Sequence, residues 1–460
     1  MKTNYPTHYC GIFGAVQVHD AARCVNNGLS FLQHRGEESC GITSTDGERF
    51  YEHKGMGLVS QVFNEETLAL LSGTMAIGHN RYSTTGKSEL RNTQPLRIDC
   101  RLGDIALAHN GNLTNTDRLR RELESGGAIF QTTTDSEVML HLLARADAPL
   151  EQAIKEMMAK VEGAYSLLIM TRDKAFAIRD PYGFRPLSLG SMNGGWVVSS
   201  ETCAFDIVGA RYERDVRPGE IVVMELKGRD SALTAVPEEK ALPRKLCSFE
   251  PIYFARPDSI IDGRSVYEAR FDMGRKLAQE HPRKVDIVIP IPDGGTIAAM
   301  GYGSALGLQV HMAFTRNHYI GRSFICPTQV RRERIADHKI NLIARLVKGK
   351  RVLVIDDSIV RGTTSGKRVA FLRSAGAAEI HMLVSCPPHR NPCHYGIDFP
   401  DPAKLAATGR SVDEIASRLG LDSLGYLSEQ GLKDVLGPHG HCFACFNGDY
   451  PEKPPTAASS

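Results

Sequence analysis

Two different hydrophobic patterns divide the chain. Up to about residue 240, short apolar or alternating runs such as YCGIFGAVQV, AFAIRD and WVVSS are separated by turn-rich segments such as DPYGFRP. Helical periodicity interrupts these runs near 21–32 and 136–146. Short strands separated by turns, with helices between some of them, predict antiparallel sheets with helices packed on them. The first half is therefore predicted to be an α+β domain.

After the segment KALPRK the pattern changes, because the apolar runs become continuous, as is typical of strands buried on both faces. These runs lie at 285–291, 351–355 and 379–384. Helical segments between them lie at 295–306 and 365–374. Alternating strands and helices predict a parallel α/β sheet. With the boundary near 235–250, the chain is predicted to hold one domain of residues 10–240 and a second of residues 241–460.

Composition excludes several classes of protein. The 460 residues are enough for two or three domains, and the net charge of +2 does not favour a nucleic-acid or membrane-surface partner. No apolar run approaches the 18 residues of a membrane span. Residues 1–9 lack the apolar core of a secretory signal, so we expect a cytoplasmic protein. In that compartment, the eleven cysteines suggest metal binding or catalysis rather than a disulfide framework.

The stretch RVLVIDDSIVRGTTSG carries the clearest chemical signal in the second half. A buried strand ends in Asp356 and Asp357, which suit ribose hydroxyls or Mg²⁺. A loop and the start of a helix follow this strand. Open parallel sheets bind their ligands in this region, beyond the carboxyl ends of the strands. Hydroxyls, backbone N–H groups and a helix N-terminus can hold a phosphate there. The residues that offer them are Ser358, Arg361, Gly362, Thr363 and Thr364.

This stretch resembles the phosphoribosyl-pyrophosphate (PRPP) loop of type I phosphoribosyltransferases. The resemblance implies that the second half binds PRPP with Mg²⁺ and displaces pyrophosphate from the sugar. PIPDGG, at 290–295, is then the pyrophosphate loop, and the basic segment at 317–341 resembles the family's mobile lid. The family has a serine at the metal site where this chain has Gly294. A water can replace a hydroxyl at small cost, so Gly294→Ser is expected to tighten Mg²⁺–PRPP binding modestly.

Nine residues that form no recognisable element precede Cys10, and their purpose needs an explanation. A cysteine becomes a strong nucleophile only when its proton is removed. If residues 1–9 were removed, Cys10 would carry a free α-amino group with a reference pKa of about 7.7–8.0, which suits a general base. The sequence therefore predicts that residues 1–9 are a propeptide. A buried strand cysteine is the alternative for an isolated Cys.

Four motifs follow Cys10 in the order QHRGEESCGI, GHNRYSTTG, AHNGNLTN and TTTDSE. Together with Cys10 they resemble the glutamine amidotransferase domain of the N-terminal-nucleophile class, which implies an αββα sandwich. The resemblance implies that Asn110 and the backbone N–H of Gly111 form the oxyanion hole. It also implies that Arg81 binds the α-carboxylate of glutamine and that Asp135 binds its α-ammonium group. These residue types suit those roles.

Four further cysteines form a possible metal site. Cys442 and Cys445 form a C-x₂-C pair, which alone is compatible with zinc, redox chemistry or chance. Cys247 and Cys393 supply two more thiols, and four thiolates suit zinc or an iron–sulfur cluster equally well. The surrounding sequences resemble family members that hold a [4Fe–4S] cluster. That resemblance favours the cluster, which would link the domain junction to the C-terminal segment.

The two halves occur together in the glutamine phosphoribosylpyrophosphate amidotransferase family, and the resemblance covers nearly the whole chain after residue 9. It identifies the chain with the iron–sulfur-containing, propeptide-bearing type. It implies that glutamine and PRPP give 5-phosphoribosylamine, glutamate and pyrophosphate, the first committed step of purine synthesis. Mg²⁺ and a [4Fe–4S] cluster are the implied cofactors. The family is typically a homotetramer that purine nucleotides inhibit, and neither nucleic acid nor membrane is an expected partner.

Two other functions share parts of this sequence. Glucosamine-phosphate synthase has the same kind of glutaminase half, but it would need a sugar-isomerase half where this chain has VLVIDDSIVRGTT. Some purine repressors reuse the PRPP-binding fold, but such a regulator would need a DNA-binding module in place of the glutaminase. Formation of phosphoribosylamine from glutamine would separate all three.

Overall fold

The computed structural model describes most of the chain, namely residues 10–82, 88–226, 231–234, 242–316, 340–397, 401–437 and 440–452. The predicted propeptide, residues 1–9, lies outside the described residues. So do positions 317–339 of the predicted lid and positions 235–241 at the predicted domain boundary. No helix in the described ranges is long and apolar enough to cross a membrane.

The first half contains the strands β1 (Gly11–Val16), β2 (Ser39–Thr45), β3 (Phe50–Met56), β4 (Met75–Arg81), β5 (Leu96–Cys100), β6 (Gly103–Leu113), β7 (Gly163–Met170), β8 (Lys174–Arg179), β9 (Ser188–Met192), β10 (Gly195–Ser199), β11 (Arg211–Asp215), β12 (Glu220–Glu225) and β13 (Ser231–Thr234). Its helices are α1 (Ala21–Phe31), α2 (Val59–Val62), α3 (Glu65–Ala69), α4 (Thr116–Ser125), α5 (Ser136–Arg145), α6 (Leu150–Lys160) and α7 (Cys203–Val208). A 3₁₀ helix lies at Leu90–Asn92.

These elements form the predicted αββα sandwich. One antiparallel sheet has the order β11-β9-β10-β1-β4-β2-β3, and the second has the order β13-β12-β8-β7-β6-β5. In β1, Ile12 and Val16 pack into the core between the sheets, whereas Phe13 and Ala15 pack against the outer helix layer. Because both faces of β1 are covered, its residues are all buried, which explains the continuous apolar run after Cys10.

The second half contains the strands β14 (Leu246–Cys247), β15 (Ile260–Ile261), β16 (Arg264–Ser265), β17 (Ile287–Pro290), β18 (Phe314–Arg316), β19 (Ile340–Leu342), β20 (Arg351–Asp356), β21 (Glu379–Val384), β22 (Ser423–Tyr426) and β23 (His441–Cys442). Its helices are α8 (Val266–Glu280), α9 (Gly295–Leu306), α10 (Thr363–Ser374), α11 (Val412–Leu419), α12 (Glu429–Leu436) and α13 (Ala444–Asn447). A π-helix lies at Glu250–Phe254, and 3₁₀ helices lie at Ala344–Leu346 and Pro402–Lys404.

The second half is built on the predicted parallel sheet. Its order is β17-β20-β21-β22, with every neighbouring pair parallel. The first three strands are the continuous apolar runs of the sequence, and their residues are almost all buried. A capping box of Ser411 and Glu414 begins helix α11, and Gly420 follows its last residue. This topology places the residues after β17 and β20 side by side at one edge of the sheet.

Candidate active sites

Cys10 lies at the start of an interior strand of the first sheet. It immediately precedes β1, which pairs with β4 on one side and β10 on the other, and only 9% of the residue is exposed. Its carbonyl oxygen accepts a hydrogen bond from Arg35 Nε at 3.2 Å, and its Sγ donates to the carbonyl oxygen of Tyr82 at 3.7 Å. The predicted nucleophile is thus fixed by two of the motifs that follow it.

The surroundings of Cys10 disfavour its thiolate. Burial raises the pKa of the Cys10 thiol to about 11. Arg81 favours the thiolate, but the carboxylates of Asp135 and Glu38 oppose it. Since a thiol with such a pKa is protonated near neutral pH, it needs a base before it can attack a substrate.

Arg81 and Asp135 supply charges of opposite sign near the nucleophile. Arg81, the last residue of β4, is 2% exposed and donates to Glu38 Oε1 at 3.0 Å. Asp135 precedes α5 and accepts the Leu113 N–H at 3.0 Å. Burial opposes ionisation of Asp135, but His109, whose Nδ1 lies 3.6 Å from Asp135 Oδ1, holds its pKa below the usual value. An α-amino acid carries an α-carboxylate and an α-ammonium group, so a buried site that binds one needs a positive and a negative side chain close together.

Asn110 and Gly111 are adjacent residues of β6. Asn110 is fully buried, its Nδ2 donates to Ser200 Oγ at 3.4 Å, and its Oδ1 has no hydrogen-bond partner among the described residues. Ser200 Oγ also accepts the Ile12 N–H at 3.0 Å, which links Asn110 to the strand that Cys10 begins. A Cβ on Gly111 would lie 2.0 Å from the carbonyl oxygen of Ala164, so only glycine fits there.

A buried charge network, which the sequence did not reveal, joins Cys10 to the second half. Besides the Cys10 carbonyl, Arg35 contacts Glu201 Oε1 and donates to both carboxylate oxygens of Glu250, at 3.0 and 2.8 Å. Arg185 donates to Glu250 at 3.4 Å. The four charged side chains are fully buried. Arg35 stands within the motif QHRGEESCGI, but no local pattern identifies its partner Glu250, 215 positions away.

Asp356 and Asp357 lie where the sequence predicts, at the carboxyl end of β20. They are 5% and 6% exposed. Burial raises the pKa of both carboxyl groups, and the charge of Asp357 raises that of Asp356 further. Arg368 NH1 lies 3.6 Å from Asp356 Oδ2, and Ser358 Oγ donates to Asp357 Oδ1 at 2.5 Å. The charges of Arg368 and Arg270 partly compensate the pair, and two buried carboxylates can accept ribose hydroxyls or a divalent cation.

The predicted phosphate-binding residues form one continuous turn between β20 and α10. Gly362 has a φ of +80°, which favours glycine, and caps α10. Thr363 and Thr364 are the first two residues of this 12-residue helix, and Arg361 precedes Gly362. The turn therefore combines a helix N-terminus with hydroxyl side chains, an arrangement that suits an anion.

Gly294 lies against the acid pair. It caps α9, directly after the residues that follow β17. A Cβ on Gly294 would lie 1.6 Å from Asp357 Oδ2, so the carboxylate of Asp357 fills the space beside this glycine. The structure thus brings the predicted pyrophosphate loop and the predicted metal-binding acids into direct contact.

The four predicted cluster cysteines line one small cavity. Cys247 and Cys442 are directly opposite in the parallel pair of β14 and β23. Cys445 belongs to α13, and Cys393 precedes Tyr395, whose backbone N–H donates to Cys393 Sγ at 3.4 Å. Aromatic and aliphatic side chains complete the lining, namely Phe184, Tyr395, Ile397, Ala444 and Tyr450.

Electrostatics within this cavity oppose the thiolate form. Burial raises the pKa of Cys247 to about 11 and raises the pKa values of Cys393, Cys442 and Cys445 as well. The other three thiolates repel that of Cys445, so the four groups cannot ionise together without cations among them. No three His, Cys, Asp or Glu side chains in the described part of the chain are arranged around a single metal ion.

The other cysteines lie apart from this cavity or outside the described residues. Cys24, Cys40, Cys203 and Cys386 are buried, and Cys100 is partly buried. Cys326 lies outside the described residues. The five described cysteines of this group are therefore interpreted as small core or partly buried residues without a chemical role.

Comparison with known families and proteins matches both halves. The family described as "Glutamine amidotransferase domain" matches residues 79–206, and "Phosphoribosyl transferase domain" matches residues 265–401. The chain is 47% identical to an amidophosphoribosyltransferase of Synechococcus elongatus, over 98% of this chain and 92% of that protein. It is 44% identical to the Bacillus subtilis amidophosphoribosyltransferase, over 96% of this chain and 94% of the other.

A solved structure supports the same assignment. It is the glutamine PRPP amidotransferase from B. subtilis complexed with ADP and GMP. It superposes with a TM-score of 0.90, at 44% identity, and the match covers 96% of this chain and 97% of the other. Because relatives this similar align over nearly their whole lengths, the chain belongs to the amidophosphoribosyltransferase family.

Proposed function

We propose that this chain carries out the reaction of its family at two linked sites, with Cys10 releasing ammonia from glutamine and the second half adding it to PRPP. The reaction is the first step of purine biosynthesis and gives 5-phosphoribosylamine, glutamate and pyrophosphate. The observation that carries the assignment of sites is the position of Cys10. Cys10 lies at the start of an interior strand, where the charges of Arg81 and Asp135 both act on its thiol. The acid pair, Asp356 and Asp357, lies at the end of β20 in the other half.

In the first half, removal of residues 1–9 would give Cys10 a free α-amino group. This amine would take the thiol proton, which the raised pKa of Cys10 otherwise retains, and the thiolate would attack the amide carbon of glutamine. Asn110 Nδ2 and the Gly111 N–H would stabilise the negative charge that develops on the amide oxygen. The guanidinium of Arg81 would bind the α-carboxylate of glutamine while it keeps its hydrogen bond to Glu38. Asp135 would bind the α-ammonium group.

In the second half, the turn from Ser358 to Thr364 would hold the 5-phosphate of PRPP at the N-terminus of α10. Asp356 and Asp357 would hold the ribose hydroxyls and Mg²⁺, which two buried carboxylates fit. When bound, Mg²⁺ would neutralise charge on the departing pyrophosphate. The negative charge of the acid pair would also favour the positive sugar that forms as pyrophosphate leaves.

Cys247, Cys393, Cys442 and Cys445 would hold a [4Fe–4S] cluster. Four thiols around one cavity match the ligand number of the cluster, and the apolar lining would shield it from water. The cluster would connect β14, at the start of the second half, to the C-terminal α13. We further propose a cytoplasmic homotetramer that purine nucleotides inhibit, since a close relative is solved with ADP and GMP.

Replacement of the nucleophile tests the division of labour. Cys10→Ala is expected to abolish synthesis from glutamine but to leave synthesis from ammonium salts, because Cys10 serves only the first half. Pyrophosphate release with each nitrogen source measures both activities. Cys24→Ala, which removes a buried thiol of α1, is the control. A folded Cys10→Ala protein that loses both activities would contradict the assignment, as would one that keeps both.

A further inference from the structure

Ser200 is a fully buried hydroxyl that none of the roles above uses. It lies directly after β10 in the first sheet, and Asn110 belongs to β6 in the second. We propose that Ser200 is a positioning residue for hydrolysis of glutamine, because its hydroxyl proton fixes the orientation of the Asn110 carboxamide. The inference rests on the proposed role of Asn110 in the oxyanion hole.

The two orientations of the Asn110 carboxamide leave different atoms without a hydrogen-bond partner. As the structure stands, Ser200 Oγ receives N–H groups from both Ile12 and Asn110, while Asn110 Oδ1 has no partner among the described residues. Rotating the carboxamide by 180° exchanges its oxygen and nitrogen with almost no change of shape. Ser200 can then donate its proton to Oδ1, and its oxygen still accepts the Ile12 N–H.

The rotated orientation suits the proposed role of Asn110 in binding the oxyanion. It gives the buried amide oxygen, which costs about 1–3 kcal/mol without a partner, the donor that it lacks, and it transfers the unpaired position to Nδ2. It also leaves Asn110 Nδ2 free to donate to a substrate. Without the rotation, the amide would present a carbonyl oxygen, whose partial negative charge would repel an oxyanion.

Ser200 is also held firmly enough to orient its neighbour. Its backbone N–H donates to the carbonyl oxygen of Ile12 at 3.0 Å, and its Oγ accepts the Ile12 N–H at 3.0 Å. Ile12 lies two residues after Cys10 on the same strand. The nucleophile and its oxyanion donor are therefore connected across the two sheets by one serine, and the serine determines which amide atom faces the site.

The test measures kcat and KM for glutamine in four single variants and one double variant, with rates normalised to ammonia-dependent synthesis as the measure of folded protein. Asn110→Ala is expected to lower kcat by about 10²–10³-fold, as loss of an oxyanion donor does. Ser200→Ala is expected to lower kcat by about 10-fold, since it removes one neutral hydrogen bond, with little change in KM. Ser199→Ala is the matched control, because Ser199 is equally buried but donates to Glu201 O at 2.7 Å.

The double variant separates positioning from a general packing effect. Ser200→Ala should lower kcat by less than about twofold when Asn110 is already alanine, because residues acting as one unit are not additive. Ser200→Cys, which keeps a weak donor of similar shape, should fall between wild type and Ser200→Ala. If Asn110→Ala keeps its kcat, the proposed oxyanion hole is wrong and this inference with it. If Asn110→Ala is severe but Ser200→Ala matches Ser199→Ala, or if the two losses multiply, the role of Ser200 alone is refuted.

Discussion

A side chain at position 294 should weaken the binding of PRPP with Mg²⁺, because Asp357 already occupies the space that it needs. A Cβ there would lie 1.6 Å from Asp357 Oδ2 and 2.7 Å from Asp357 Cγ. Backbone strain is not the cause, since Gly294 has ordinary helical angles, φ −64° and ψ −43°. The sequence alone predicts the opposite sign, namely that a serine hydroxyl would add to the metal site. Packing of the acid against the glycine favours weaker binding instead.

The expected loss of PRPP affinity is estimated from the hydrogen bond that Asp357 would lose. To reach ordinary contact distance, Asp357 Oδ2 must move by about 2 Å, and we expect this movement to break the 2.5 Å hydrogen bond that Asp357 Oδ1 accepts from Ser358. A hydrogen bond to a charged group contributes about 1.5–3 kcal/mol, or roughly 10–150-fold in a binding constant. Both Gly294→Ala and Gly294→Ser should therefore raise the apparent KM for PRPP by about 10–100-fold.

The assay is PRPP saturation at several Mg²⁺ concentrations, with ammonium as nitrogen donor so that the glutaminase half does not contribute. Gly366→Ala is the control, because a Cβ on this glycine of α10 meets only Leu419 Cδ2, at 3.6 Å. It should leave the KM for PRPP within about twofold of wild type. The alanine and serine variants separate crowding from metal ligation. If Gly294→Ser tightens binding while Gly294→Ala weakens it, the hydroxyl acts as a ligand and the packing argument is refuted.

Two further changes test the other sites. Gly111→Ala should lower glutamine-dependent synthesis by about 10²–10³-fold and spare ammonia-dependent synthesis. Its Cβ would lie 2.0 Å from the backbone oxygen of Ala164, which is fixed in the sheet, so the substitution would displace the proposed oxyanion donor. Equal loss of both activities would contradict this reasoning. The purified protein should be brown, and Cys445→Ser should lose iron and melt at a lower temperature, whereas Cys24→Ser should keep its iron. Iron, sulfide and zinc analysis decides this, and stoichiometric zinc without iron would refute the cluster.

Local sequence patterns were sufficient to predict most of the strands and helices of the parallel sheet in the second half. The sequence predicts β20 and the acid pair because one uninterrupted segment contains a buried strand, its ending and the following helix cap. It does not reveal β22, since Ser423–Tyr426 is a four-residue strand, SLGY, without an apolar run. In the first half it misses α4, whose ten residues are mostly charged and bury only Leu119 and Leu123. These elements are fixed by tertiary packing rather than by their own pattern.

The contacts that complete the glutaminase site are invisible to sequence reasoning for a different reason. Motifs identify Cys10, Asn110 and Gly111 because each has a recognisable neighbourhood. Ser200 and Glu250, in contrast, act through partners 90 and 215 positions away, Asn110 and Arg35. Only the folded chain shows that these residues meet.

The second half reaches the glutaminase site from two directions. Arg35, which holds the Cys10 carbonyl, is fully buried, so its charge must be compensated, and Glu250 of the second half supplies one of its two carboxylates. On the other side, Asn112 Nδ2 donates to His394 O at 2.9 Å, so the segment after Cys393 packs beside β6, which contains Asn110 and Gly111.

Removing one partner of a buried ion pair typically costs about 3–5 kcal/mol, because the remaining charge stays desolvated. Without the second half, Arg35 would lose Glu250, and the backbone of Cys10 would lose a firmly held donor. The β6 strand would lose its contact with His394 at the same time. The proposed ammonia-releasing site is therefore completed by the half that is proposed to consume the ammonia, and the buried position of Glu250 is the physical basis of that dependence.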